Sequence, residues 1–188
     1  MTKVYYVRHA EPNYDNHNDA LRELTPKGLH DRKLVTKFLT DKGINVAVSS
    51  PFRRAIDTIK EFADLEGIQI EVIDGFRERK VGNGWIDNFT SFTQKQWDDF
   101  NYKLPNGECL QEVQERNVSA LLKLIERYKG KNMVVGGHGT ALSTIINYFD
   151  TSFGYEEFIG IKNKMPWIVE FRFDSEAHCY DIYKYDLL

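Results

Sequence analysis

Short runs of apolar residues alternate along this chain with longer segments in which apolar residues recur every three or four positions. The short runs are rich in β-branched and aromatic residues, which indicates strands, and the longer spacing is typical of helices that bury one face. Strands are predicted over residues 3–7, 44–48, 68–73 and 133–135. Helices are predicted from Thr25-Pro26 to about Gly43, and over 52–66, 110–129 and 141–148.

Strands that alternate with helices favour an α/β fold, a three-layer α/β/α sandwich with a mainly parallel sheet. The last part of the chain differs, because apolar and polar residues alternate over 167–173 and a second such run covers 180–185. That pattern predicts an antiparallel C-terminal hairpin at one edge of the sheet. Residues 80–107 have no clear period and are expected to form short helices over the strand ends. We expect residues 1–188 to form a single domain.

The composition excludes some classes of function. Of the 188 residues, 41% are hydrophobic and 28% are charged, and the formal net charge is -3 at pH 7. An acidic balance gives no general attraction for nucleic acid or anionic membranes, so neither is expected as a partner. The first apolar run meets Arg8 too soon for a secretory signal, and no run has the ~18 apolar residues of a membrane span, so a cytoplasmic location is predicted.

Polar residues follow three of the predicted strands at the point where each strand ends. Arg8-His9 follows the first strand, the run 49–54 follows the second, and Gly137-His138-Gly139 follows the last. The carboxyl ends of parallel strands meet at one edge of a sheet, so these clusters are expected to gather there. Guanidinium groups match the oxygens of phosphate, and a neutral imidazole can attack phosphorus. Backbone N–H groups at the helix start, such as that of Gly139, are expected to bind the same anion.

Five short segments, taken in order, carry a family pattern. They are Arg8-His9-Ala10, Ser49-Ser50-Pro51 with Arg54 and Thr58, the run 76–79 with Gly82, the run 105–108 with Arg116, and Gly137-His138-Gly139. Over roughly residues 3 to 150 the chain thereby resembles the histidine phosphatase superfamily, which includes the cofactor-dependent phosphoglycerate mutases. Ala10 departs from the pattern, because the family usually has glycine at that position.

The resemblance implies a phosphomonoester hydrolase of the histidine acid phosphatase type, on the phosphatase side of the superfamily. By position, it implies that His9 becomes phosphorylated, that Arg8, Arg54 and His138 bind the phosphoryl oxygens, and that Glu78 protonates the leaving group. It also implies a reaction that needs no metal and no organic cofactor. A small phosphorylated metabolite is the expected substrate, and a homodimer is compatible with the pattern.

Three alternatives remain open at this stage. A phosphoglycerate mutase would use the same residues, although only about 30 residues separate Glu78 from Glu108, which favours hydrolysis. Asp15, where mutases commonly carry asparagine, also argues against a tight grip on a bisphosphate, because a carboxylate repels phosphate. A non-catalytic module that binds phosphorylated ligands is the second alternative. The third concerns the phosphate site, for which Arg53 competes with Arg54.

The irregular segment 80–107 falls where the family would place a substrate cap. Its aromatic residues Trp85, Phe92 and Trp97 are candidates for an apolar pocket wall. Arg79, Lys80 or Lys103 is expected to meet a second anionic group of the substrate. The sequence does not identify that group.

Overall fold

The computed structural model of the chain describes residues 1–84 and 86–188. Its strands are β1 (Thr2–Arg8), β2 (Ile44–Ser49), β3 (Ile70–Val72), β4 (Asn132–Gly137), β5 (Trp167–Phe173) and β6 (Cys179–Asp186). Its helices are α1 (Pro26–Leu39), α2 (Arg53–Glu66), α3 (Phe89–Asp98), α4 (Leu110–Arg127), α5 (Gly139–Phe149) and α6 (Tyr155–Gly160). Within the described residues, no helix is both long and apolar enough to cross a bilayer.

The strands of the described residues form one sheet in the order β3-β2-β4-β1-β5-β6. The first four of these neighbours run parallel, whereas β5 pairs antiparallel with β1 and β6 pairs antiparallel with β5. The predicted mainly parallel sheet with an antiparallel C-terminal edge hairpin is therefore confirmed. The order places the carboxyl ends of β2, β4 and β1 side by side.

Two hydrophobic clusters cover the two faces of the sheet, which confirms the three-layer sandwich. On one face, side chains such as Tyr5 and Val7 pack with Val35 of α1 and Phe62 of α2. On the other face, the larger cluster joins the strands to α4 and α5, and it also takes up Trp97 of α3. Since successive residues of a strand point to opposite faces, the near-continuous apolar β1 serves both clusters.

Local chemistry explains where the first two helices begin and end. The Thr25 side chain accepts a hydrogen bond from the Gly28 N–H, and Pro26 occupies the first helical turn, so α1 starts where the sequence predicts. After α1, one short 3-10 turn leads to Gly43, which has a φ of 61°. Gly67 closes α2 in the same left-handed conformation, which glycine adopts at little cost.

Three elements differ from the predicted pattern. β3 is confined to the residues that pair with β2, because it lies at the sheet edge and has one neighbour. β4 continues to Gly137, where a β-carbon would collide with the Tyr6 ring, so glycine is required for the strand to approach β1. The short helix α6 was not predicted, since six residues are too few for a helical period to be recognised.

Gly28 provides a test of how tightly the segment after His9 packs on α1. A β-carbon at Gly28 would collide with the backbone carbonyl of Glu11, and that backbone cannot move without displacing the loop. Alanine normally stabilises a helix relative to glycine, yet we expect Gly28→Ala to lower the free energy of unfolding by about 1–3 kcal/mol because of overpacking. Urea denaturation measures the change.

Gly160→Ala is the matched control for this substitution. Among the described residues, no atom lies within 4 Å of a β-carbon added at Gly160. We expect it to change the free energy of unfolding by less than about 0.5 kcal/mol. Equal stability of the two variants would contradict the packing argument for Gly28.

Candidate active site

The three polar clusters predicted from the sequence meet at one edge of the sheet. In the register of the parallel strands, Arg8 lies opposite Gly137. The His9 N–H donates to the carbonyl of Gly137 at 3.0 Å, and the Ser50 N–H donates to the carbonyl of Gly136 at 2.9 Å. Backbone hydrogen bonds thus fix the ends of β1 and β2 to β4, and the side chains that follow converge.

His9 is buried, and one of its ring nitrogens is held by the backbone. Nδ1 lies 2.8 Å from the carbonyl oxygen of Ala10. Because that oxygen can only accept, Nδ1 carries the hydrogen and Nε2 keeps a free lone pair. Burial, followed by the charges of Arg54 and Arg8, holds the pKa of His9 well below its usual value. The imidazole is therefore neutral near pH 7, as an attacking nucleophile must be.

His138 lies beside His9, with the two ring centroids 5.4 Å apart. Its Nε2 is 2.7 Å from the hydroxyl oxygen of Ser50. Its Nδ1 is buried and has no hydrogen-bond partner among the described residues. Burial, then the charges of Arg54 and of His9, lowers the pKa of His138 well below the usual range. The site therefore holds two neutral imidazoles.

The choice between Arg53 and Arg54 is decided by burial. The side chain of Arg54 is 4% exposed, and its guanidinium donates to the backbone carbonyl of Asp19 and contacts the Asp19 carboxylate at 3.1 Å. Arg53 points to solvent and pairs with Asp57. Burial lowers the pKa of Arg54, and the charges of Asp19 and Glu78 oppose that effect. Arg54 is the arginine that belongs to the cluster.

Arg8 makes a set of contacts that the sequence did not indicate. Its terminal nitrogens donate to the backbone carbonyls of Ile161, Lys162 and Lys164, in the loop between α6 and β5. Nε is buried, and its N–H has no hydrogen-bond partner among the described residues. Gly139 allows this packing, since a β-carbon there would lie 2.9 Å from the Arg8 Nε.

Glu78 supplies the anion at the start of α5. One carboxylate oxygen accepts from the Ala141 N–H at 3.1 Å and from the Arg79 N–H at 2.8 Å, and the other accepts from the Thr140 N–H at 3.1 Å. A helix N-terminus favours a negative charge. From the sequence, this helix start is expected to bind the phosphate, whereas here two of its N–H groups bind Glu78. The N–H groups of the two residues after Gly139 hold Glu78, so this carboxylate is brought into the cluster.

Arg22 is a member of the cluster that sequence reasoning missed. It is 9% exposed, its Nη1 lies 3.1 Å from the Asp19 carboxylate that also pairs with Arg54, and its guanidinium lies over the Tyr14 ring. Its charge contributes to the lowered pKa of His9, after burial and the charges of Arg54 and Arg8. The only signal was its place in the polar loop after His9, and such loops show no period that separates buried from exposed residues.

The position of Trp97 does not support the prediction that this residue lines an apolar pocket. This side chain packs in the main core against Phe153 and Phe158, with ring centroids 6.3 and 5.5 Å away. Phe92 lies on α3 against the guanidinium of Arg79. Trp85 lies outside the described residues. Core packing, rather than a cavity, thus accounts for Trp97.

Of the three cationic residues expected to bind a second anionic group of the substrate, two already have partners in the protein. Arg79 is 4% exposed and its Nη1 donates to the Gln96 side chain at 2.6 Å. Lys103 pairs with Glu112 on the surface. Lys80 is exposed, and its backbone N–H donates to Glu108.

The Glu108 carboxylate accepts hydrogen bonds from three residues. Its carboxylate accepts from Arg77 at 2.7 Å, from Arg116 at 3.1 Å and from the Lys80 N–H at 2.9 Å. Burial raises the pKa of Glu108, but the hydrogen bonds from Arg77 and Lys80, together with the charges of Arg116 and Arg77, outweigh burial, and the net pKa lies below its usual value.

Within the described residues, no group of three or more His, Cys, Asp or Glu could hold a metal ion.

Comparison with known proteins identifies the group to which this arrangement belongs. The model of the histidine phosphatase superfamily (branch 1) matches residues 4–178. The chain belongs to the histidine phosphatase superfamily. The superfamily resemblance seen in the five motifs is thereby confirmed, and it extends through β5.

Individual members of the superfamily have different names. "Putative phosphoserine phosphatase 2" of Hydrogenobacter thermophilus is 27% identical over 188 residues, which cover 94% of this chain and 92% of that protein. "Probable phosphoglycerate mutase GpmB" of Yersinia pestis is 29% identical over 163 residues, which cover 78% and 74%. A mutant phosphoserine phosphatase from Entamoeba histolytica, crystallised with phosphoserine, shares the fold with a TM-score of 0.78 at 20% identity, over 99% of this chain and 97% of that one.

The depressed pKa of His9 makes stability depend on pH in a defined window. An unfolded chain protonates this imidazole near its ordinary value of about 6.5, whereas the folded protein does not. The contribution is thus fully present above that value and is lost as the pH falls below it, by up to about 1.4 kcal/mol per pH unit for one histidine. We expect His9→Gln to reduce the slope of unfolding free energy against pH between about 6.5 and 5.

Urea denaturation at several pH values gives the two slopes. His30→Gln, on the exposed side of α1, is the control and should keep the slope of the unmodified protein. An unchanged slope in His9→Gln would show that the imidazole is not held neutral by the fold.

Proposed function

We propose that this protein is a phosphomonoesterase of the histidine acid phosphatase type that acts on a small phosphorylated metabolite through a phosphohistidine intermediate on His9. The observation that carries the proposal is the state of His9. Its Nδ1 is anchored on the Ala10 carbonyl, its pKa is lowered by burial and by Arg54 and Arg8, and His138 lies beside it. A neutral, oriented imidazole among guanidinium groups suits attack on a phosphate ester.

In the first half of the reaction, Nε2 of His9 attacks phosphorus and the bond from phosphorus to the ester oxygen breaks. The leaving oxygen takes a proton from Glu78, so the alcohol departs neutral and Glu78 becomes a carboxylate. Arg54, the Nε of Arg8, His138 and the N–H of Gly139 bind the phosphoryl oxygens in this proposal. Cations fixed before the reaction stabilise the charge that spreads over these oxygens in the transition state.

In the second half, water attacks the phosphohistidine from the side that the alcohol left. Glu78 takes a proton from that water, the bond from phosphorus to Nε2 breaks, and inorganic phosphate leaves. His9 returns to its neutral form and Glu78 is again protonated, so the cycle is closed without a metal or organic cofactor. The N–H groups of Thr140 and Ala141 fix the position of the Glu78 carboxylate, and the negative charge of the bound phosphate favours uptake of the proton that Glu78 then donates.

The names of the relatives support a small phosphate monoester as the substrate. One relative is named as a phosphoserine phosphatase, and a solved structure of the same fold contains phosphoserine. The short segment between Glu78 and Glu108 favours hydrolysis over the mutase reaction named for another relative, because mutases of this superfamily usually carry a longer insertion there.

Replacement of the nucleophile tests the proposal. We expect His9→Ala to lower release of inorganic phosphate from para-nitrophenyl phosphate by at least about 10³-fold, because loss of a nucleophile removes the covalent route. His30→Ala should be unaffected. A denaturing quench at alkaline pH during turnover of the unmodified enzyme should trap one acid-labile phosphohistidine.

Three outcomes would contradict the proposal. Intact hydrolysis in His9→Ala would rule out the mechanism. Interconversion of phosphoglycerates without phosphate release would indicate a mutase, and phosphate binding without turnover would indicate a binding module.

Replacement of the proton donor tests Glu78 separately. An alkyl alcohol is a poor leaving group that needs a proton, whereas para-nitrophenolate leaves without one. We expect Glu78→Gln to lower kcat/KM for an alkyl phosphate by about 10²–10⁴-fold and to change it little for para-nitrophenyl phosphate. The value of kcat/KM reports the transfer of the phosphoryl group to His9 and not the later hydrolysis of the phosphohistidine. Glu66→Gln, exposed at the end of α2, is the control, and an equal loss on both esters would remove Glu78 from the role of acid.

A further inference from the structure

Gln96, on helix α3, is buried with all of its side-chain hydrogen-bonding groups in use. Its side-chain oxygen accepts from Nη1 of Arg79 at 2.6 Å. Its side-chain nitrogen donates to the backbone carbonyls of Tyr102 and Glu108, both at 2.9 Å. The Gln96 amide, which has 0% exposure, thus joins α3 to the loop that follows it, to Glu108 two residues before α4, and to the residue after Glu78.

Arg79 depends on this amide. Its guanidinium lies over the rings of Phe89 and Phe92 of α3, and among the described residues its Nε has no partner. Burial lowers the pKa of Arg79, and the charges of Glu78 and Glu108 oppose that effect. A buried guanidinium needs acceptors, and among the described residues the Gln96 oxygen is the hydrogen-bond acceptor of the Arg79 side chain. Loss of that oxygen would therefore favour movement of Arg79 out of this position.

The backbone of Arg79 connects this cluster to the proposed acid. Its N–H donates to the Glu78 carboxylate at 2.8 Å. The N–H groups of Thr140 and Ala141 donate to the same carboxylate at the longer distance of 3.1 Å. The carboxylate therefore lies between the start of α5 and Arg79, whose side chain contacts α3.

The chain on both sides of Glu78 is also held by Arg116 and Glu108. Arg116 of α4 donates to the backbone carbonyls of Gly75 and Arg77, and Glu108 accepts from the Lys80 N–H. These bonds hold the chain before and after the acid. Gln96 supplies hydrogen bonds from helix α3 to this region, to Arg79 directly and to the Glu108 carbonyl.

We propose that Gln96 is a positioning residue for Glu78 and acts on it through Arg79. The inference rests on the proposed function of Glu78 as acid. In this proposal, helix α3 contributes to proton donation because it positions the Glu78 carboxylate. Gln96 itself touches neither the phosphate nor the leaving group. Its effect should be confined to esters whose leaving group needs a proton.

The test compares the two esters in Gln96→Met, which keeps the length of the side chain and removes its hydrogen bonds. We expect kcat/KM for the alkyl phosphate to fall about tenfold or more, since a misplaced catalytic group loses rate steeply, while para-nitrophenyl phosphate is nearly unaffected. In a Glu78→Gln background the same substitution should have no further effect on the alkyl phosphate, because the group that it positions is gone. Gln96→Glu keeps an acceptor for Arg79 and should recover part of the loss.

Thr93→Ala is the control on the same helix. Thr93 is 1% exposed and its hydroxyl has no hydrogen-bond partner among the described residues, so its replacement perturbs α3 without touching Arg79. It should lower stability and leave the ratio of the two kcat/KM values unchanged. If Gln96→Met does not fold, Arg79→Met removes the donor at the other end of the same hydrogen bond and should give the same selective loss.

Two results would overturn the inference. Equal losses on both esters would mean that Gln96 supports the fold as a whole, and additive losses in the double variant would mean that it acts apart from Glu78. Either result leaves the proposed function intact as long as Glu78→Gln is selective for the alkyl ester. A non-selective Glu78→Gln would instead remove the acid itself, and the inference with it.

Discussion

The burial of guanidinium groups next to imidazoles is the constraint on which the rest of the site depends. Positive charge in a pocket closed to water is costly unless acceptors surround it. The protein meets this need with backbone carbonyls for Arg8 and with Asp19 for Arg54 and Arg22. The same charges make a proton on His9 unfavourable. The acceptors that stabilise the arginines therefore allow positive charge to be buried beside His9, and this charge helps to keep the imidazole neutral.

This arrangement separates two tasks that a single anion-binding loop often performs. In the proposed mechanism, the phosphate side is built from the ends of β1, β2 and β4, which backbone hydrogen bonds of 2.9 to 3.0 Å tie together. The proposed acid, Glu78, accepts from N–H groups at the start of α5, and Arg116 of α4 holds the carbonyl of the preceding residue. Substrates can then differ in the alcohol that they release without a change in the grip on phosphate, which fits a superfamily whose members bear several names.

The sequence predicts the part of this design that follows from periodicity and from strand ends. Alternation of strands and helices is enough to place Arg8, His9 and His138 at one edge, because parallel strands align their carboxyl ends. The choice of Arg54 over Arg53 agrees with the helical face that α2 buries. Family motifs add Glu78, which no periodic pattern singles out.

Other parts of the site could not be read from the sequence for physical reasons. The carbonyls that hold Arg8 belong to residues about 150 positions away, and every residue has a carbonyl, so nothing in the residue types marks them. Arg22 and Asp19 lie in a loop whose folding depends on the site that it completes. Trp97 shows the reverse error, since an aromatic residue in an irregular segment gives no sign of which side of the segment faces the core.

The position of β1 between β4 and β5 has a consequence for synthesis of the protein. Both neighbours of β1 come later in the sequence, from residues 132–137 and 167–173, so β1 stays unpaired until those residues have been translated. Arg8, at the end of β1, finds its carbonyl partners at the same late stage. A nascent chain thus exposes an apolar strand while residues 9–131 are being made, the situation in which a cell's holding chaperones act.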